Sequence, residues 1–160
     1  GAYDDPRTRI VIADGTKFVA ETPERFDVIM VDSTDPVGPG AVLFTREFYA
    51  GCRRCLKPGG LLITQNGLPF LQAGELKQSV GYFRELFADA SAYLANTPTY
   101  FGGPMSFGWA TDNKKLREHR RKKIERRHEK AGAFLTRYWT PEVHVASFAL
   151  PPYVRDMVEG

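Results

Sequence analysis

Long hydrophobic runs are missing from this chain. No apolar stretch approaches the roughly 18 residues that a membrane-spanning helix needs, so no helical span is expected. Cysteine and histidine are scarce, with two and three among 160 residues. Two cysteines build no disulfide framework, which fits a reducing cytoplasm. Cys52 and Cys55 have the Cys-x-x-Cys spacing of a redox pair or half a zinc site. A zinc site would need two further ligands, and His119, His128 and His144 lack zinc-like spacing. The pair reads as two small residues one turn apart on a helix, and no metal is expected. The first residues, Gly1-Ala2-Tyr3-Asp4-Asp5-Pro6, form neither a basic nor an apolar segment, so no signal peptide is expected. An initiator methionine is also missing, which suggests part of a longer or processed chain.

Charge is unevenly placed. The net charge is +3, yet residues 114–130 hold ten Lys or Arg and three Glu, a local +7. The remainder holds twelve basic and sixteen acidic residues, or −4. The body is therefore acidic, which favours cationic ligands. The basic segment has few apolar residues, mainly Leu116 and Ile124, and no aromatic for base stacking. Its glutamates have helical spacing with basic neighbours, as Glu118 with Lys122. It reads as a solvated helical insert over 113–131, and nucleic-acid binding is not expected.

What is present is strand–helix alternation in one domain over 1–160. Strands are expected at 9–13, 26–31, 61–64, 91–97, 106–111 and 143–148. Thr16 is the expected cap of a short helix ending at Thr22. Helices are expected at 45–56 and 72–87, and Pro151-Pro152 opens a terminal one. The two strands around Gly102-Gly103-Pro104 are expected to pair antiparallel. The whole reads as α/β: a partial Rossmann-like, three-layer αβα sheet of the class I methyltransferase kind. It is expected to be mostly parallel, with a C-terminal antiparallel hairpin.

One loop stands out. The apolar run Val28-Ile29-Met30-Val31, expected to be buried on both faces of its sheet, leads into Asp32-Ser33-Thr34-Asp35-Pro36-Val37-Gly38-Pro39-Gly40. Ligands of open α/β sheets bind at the carboxyl ends of strands. Two carboxylates there suit a cationic substrate, a proton transfer, or both. Aspartates also simply favour turns.

This string resembles the signature of the polyamine aminopropyltransferases, the spermidine synthase family. The likeness continues through Asp14-Gly15, Leu43-Phe44, Phe48-Tyr49, Gln65, Pro98-Thr99-Tyr100 and Phe148-Ala149-Leu150-Pro151. The resemblance implies aminopropyl transfer from decarboxylated S-adenosylmethionine, a co-substrate rather than a cofactor, to putrescine. The products would be spermidine and methylthioadenosine. Asp32 then matches the catalytic residue that takes the amine proton. Asp35, Tyr100 and Gln65 match diamine-side residues, and Asp14 and Gly15 match the adenine contact. Asn66-Gly67 departs from a common Gly-Glu pattern.

The family's glycine-rich loop and N-terminal β-domain have no match in these 160 residues. The resemblance thus implies a C-terminal catalytic portion, inactive alone, that forms a homo-oligomer or complements an N-terminal half. Without its usual neighbouring strands, the sheet is expected to gain a partner, rearrange or keep open edges. Two alternatives stay open: a non-catalytic module that binds polyamines or a partner, and a methyltransferase of the same fold.

Overall fold

The computed structural model describes residues 1–99, 103–117 and 120–160. Four strands form one sheet: β1 (Phe26–Val31), β2 (Leu56–Gln65), β3 (Asp89–Ala95) and β4 (Met105–Thr111), in the order β1-β2-β4-β3. Among the described residues six α-helices accompany them: α1 (Gly15–Glu21), α2 (Arg46–Cys55), α3 (Ala73–Leu86), α4 (Arg121–Lys130), α5 (Pro141–Ala146) and α6 (Pro152–Glu159).

The sheet corrects the expectation of a mostly parallel array. Only β1 and β2 pair in parallel, while β4 runs antiparallel to both β2 and β3. Residues 9–13, expected to extend the parallel part, form no strand, and Ile12 is 99% exposed. A strand needs a neighbour to satisfy its ladder, and among the described residues none lies beyond β1. β1 is consequently an edge strand. Its Val28 and Met30 are exposed, against the expectation of burial on both faces.

Residues 143–148 are corrected too: most of them lie in α5. The Thr140 hydroxyl accepts from the Val143 amide, and Pro141 stands in the first turn. Those start signals outweigh the β-branched composition. The cap of α1 is Asp14 rather than Thr16. The paired cysteines lie buried on α2 as two unlinked thiols.

The core lies on one face of the sheet. Leu62, Ala92 and Ala110 meet Tyr49, Leu76, Val80, Phe83 and Val154 from α2, α3 and α6. Tyr49 sits edge-on to Phe83, with ring centres 4.7 Å apart. On the opposite face, Tyr93 and Trp109 pack against Phe148 just beyond α5. The basic segment forms α4, exposed except for Ile124 and its neighbours; Arg121 pairs with Glu125 and with Glu142 of α5.

Candidate active site

The acidic loop leaves the carboxyl end of β1 and closes as a 3-10 helix over Gly38–Phe44. Gly38 takes φ +60°, a conformation natural to glycine. A Cβ on Gly40 would come within 2.7 Å of the Thr34 hydroxyl and 3.2 Å of the Asp35 carbonyl. That glycine lets the 3-10 helix fold back onto the loop. The Val37 amide donates to the Asp35 carbonyl at 2.7 Å, fixing the turn. Asp32 and Asp35 both remain exposed.

They share a cleft of about 680 Å³ with Ser33, Thr34, Gln65, Gly67, Gln72 and Met105. Gln65 ends β2, the strand beside β1, so parallel pairing alone brings it level with the acidic loop. Its register is fixed by Asn66. The Asn66 Oδ1 accepts from the Thr64 hydroxyl at 2.6 Å and from the Gly108 amide at 3.0 Å. The Ser106 hydroxyl donates to the Asn66 and Gly67 carbonyls. Asn66-Gly67 thus ties the end of β2 to β4. Gly67 adopts φ +65°, and the Leu68 amide donates to the Gln72 carboxamide, which closes that rim of the cleft.

The structure therefore brings Asp32, Asp35 and Gln65 around one cleft. Asp14 and Gly15 lie elsewhere, at a separate hollow beside α1 that Asp14 shares with Lys17, Phe18 and Glu21. Asp14 already accepts from the Thr16 hydroxyl and from the Thr16 and Lys17 amides. Those bonds, the Thr16 hydroxyl first, hold its carboxyl below the usual carboxylate range. Gly15 packs toward Leu43 of the 3-10 helix. Tyr100 lies outside the described residues.

Sequence reasoning missed Glu75, in the first turn of α3. It is nine-tenths buried, and neither carboxylate oxygen has a hydrogen-bond partner among the described residues. Burial, reinforced by the negative charge of Asp35, pushes its carboxyl up to about 7. The signal was its place beside Leu76 and four residues before Ser79, on the helix face that carries Val80 and Phe83. Gln65 Oε1 and Asn66 Nδ2 are likewise buried without partners.

Residues 1–120 match the spermine/spermidine synthase domain family. The chain belongs to that family. The chain is 50% identical over 160 residues to the polyamine aminopropyltransferase of Salmonella arizonae, covering all of itself and 56% of that relative. With the polyamine aminopropyltransferase of Pseudomonas syringae pv. tomato it shares 50% over 158 residues, 99% of the chain and 55% of the relative. It therefore spans a little over half the length of these curated relatives. Among solved structures, it superposes on a spermidine synthase in complex with the transition-state analogue AdoDATO. There the TM-score is 0.86 at 35% identity, over 99% of this chain and 53% of that one. Thermotoga maritima spermidine synthase gives 0.83 at 34%, over 99% and 52%. Human methyltransferase-like protein 13, in complex with SAH, gives 0.58 at 20%, over 85% and 64%, a likeness of fold alone. No helix among the described residues is long and apolar enough to cross a membrane.

Proposed function

We propose that this chain is the amine-side catalytic portion of an aminopropyltransferase. In this reading it transfers an aminopropyl group from decarboxylated S-adenosylmethionine to putrescine. The observation that carries the reading is the cleft in which Asp32, Asp35 and Gln65 converge. A primary amine has a solution pKa near that of lysine, about 10.4, and attacks only after losing a proton. Asp32 takes that proton. Asp35 holds the attacking nitrogen, with Gln65 beside it and Tyr100 orienting it. The nitrogen lone pair attacks the methylene carbon next to the sulfonium, and the carbon–sulfur bond breaks. Its electrons stay on sulfur, so neutral methylthioadenosine leaves. Both substrates are cations, and a pair of carboxylates offsets their mutual repulsion.

Asp14 and Gly15 take the adenine in this reading. Asp14 keeps its second oxygen for an amino group while its first caps α1. Residues 113–131 are an insert outside the chemistry, and the whole acts in the cytoplasm. Rate acceleration requires both substrates held in line, so the chain is inactive alone and needs either a matching N-terminal half or a second copy. The unpaired edge of β1 is the natural place for either to add.

The test is methylthioadenosine release from decarboxylated S-adenosylmethionine and putrescine, with the chain alone and with an N-terminal half of a relative supplied in trans. Activity only on complementation, abolished by Asp32→Asn, is expected. S-adenosylhomocysteine formation from S-adenosylmethionine would instead make the protein a methyltransferase. Putrescine binding without turnover under complementation would make it a binding module.

A further inference from the structure

Four buried side-chain atoms among the described residues lack a hydrogen-bond partner, and all belong to Gln65, Asn66 and Glu75. They cluster where β2 ends and α3 begins. Three of the four are acceptors: Gln65 Oε1 and both Glu75 oxygens. Buried acceptors left empty are unfavourable, a carboxylate most of all. What the site lacks is a donor-rich, positively charged group, and an ammonium offers three donors and no acceptor.

Position points the same way. Gln65 and Gln72 both line the acidic cleft. Glu75 is one helical turn beyond Gln72, whose carbonyl accepts from the Glu75 amide at 3.1 Å. The titratable groups coupled to Glu75 are Asp35, from the loop after β1, and Tyr49, from α2. Asp35 repels its charge, so both groups gain when a cation arrives between them.

We propose that Glu75 is the third carboxylate of the amine site. It stays protonated while the cleft is empty and ionises when a dicationic amine enters, so that its charge matches the ammonium that does not react. The Glu75 proton passes to solvent, and the carboxylate it leaves pairs with the alkylammonium. This rests on the reading of the acidic loop as an amine site. There, Asp32 and Asp35 serve the reacting nitrogen, and no further acid stands among the described residues that line the cleft.

The experiment is calorimetric titration of the chain with putrescine and, separately, with butylamine. Both titrations are run near pH 6 in two buffers of different ionisation heat. Putrescine is expected to release close to one proton on binding, and butylamine none. Glu75→Gln should abolish the release and weaken putrescine about tenfold to a hundredfold, the worth of one charged hydrogen bond, with butylamine affinity changed less than twofold. Glu75→Leu, which removes the polar group outright, should behave likewise. Equal losses for the two amines, or proton release that survives Glu75→Gln, would overturn the proposal alone. If the unaltered chain binds neither amine, the acidic loop is no amine site and the proposal falls with that reading.

Discussion

On the face of the sheet that carries α2, α3 and α6, Leu62, Leu76, Val80, Phe83 and Val154 are wholly closed from water. At the β1 edge of the other face, Met30 is 75% exposed and Val28 46% exposed. A hollow of about 580 Å³ runs from there between Val28, Ile63, Trp109, Ile124 and Trp139. The same sequence thus supports one finished face and one unfinished edge. The difference teaches where the stability of this chain resides: in the α2–β2–α3–β4 unit and what packs on it, with little from residues 9–13. The candidate site straddles the boundary. Gln65 and Glu75 stand on the finished unit, whereas Asp32 and Asp35 hang from the edge strand.

The sharpest way to break the comparison is to damage the finished face. Phe83 is fully buried between Tyr49 and Phe87. Phe83→Ala is expected to lose about 3–5 kcal/mol, measured by urea denaturation. Ile12→Ala, the matching truncation on the unfinished side, should stay within about 0.5 kcal/mol of the parent. Equal losses would mean that residues 9–13 are packed in solution.

Glu75 gives the next effect. The folded state keeps its proton up to about pH 7, while an unfolded glutamate releases it near 4.5. Between those values the folded state binds more protons, so stability falls as pH rises and levels off above 7. The expected total is about 3 kcal/mol, read from denaturation midpoints across the window. Glu75→Gln should remove that share of the pH dependence and be the more stable form at pH 8. A variant with an unchanged pH profile would show that Glu75 is not buried in solution.

Gly108 ties the two halves of the site scaffold together. A Cβ there would stand 2.6 Å from Asn66 Oδ1, the Thr64 hydroxyl and the Phe83 ring at once. Gly108→Ala is expected to lose about 1–3 kcal/mol and to shift the amide resonances of Gln65 and Asn66 in NMR spectra. Unmoved resonances would separate the pinning of Gln65 from the packing of α3.

The same boundary decided what the sequence made legible. Helices α2 and α3 and the β3–β4 pair follow from local signals: apolar spacing, caps and a glycine turn. Residues 9–13 have strand composition, yet a strand is a pairing, and the partner is not a property of those five residues. Counting them, together with the unbroken apolar run of β1, suggested a mostly parallel, doubly covered sheet. Residues 143–148 misled differently: their composition suits a strand, while Thr140 and Pro141 just before them start a helix. That Asp32 and Asp35 would stand together beyond a strand end was legible, because the apolar run of β1 stops just before them. Glu75 was not, because a carboxyl among core positions looks like an ordinary exposed residue until its neighbours are placed.

The smallest effect on stability tests the unfinished edge itself. Met30 projects from an edge strand with most of its surface in water, two residues from Val28, which lines the hollow beneath α4 and α5. A charge placed there meets no buried neighbour, so Met30→Lys should alter unfolding free energy by no more than about 0.5 kcal/mol. Association is another matter. An open strand edge with an apolar face is a template for another chain, and lysine is a common means of blunting one. Sedimentation velocity over a concentration series should therefore show the parent chain self-associating and Met30→Lys shifted toward monomer. It should also show weaker capture of an added N-terminal half. If Met30→Lys associates as the parent does, the edge of β1 is not the contact, and the partner must add at the hollow lined by Trp109 and Trp139 instead.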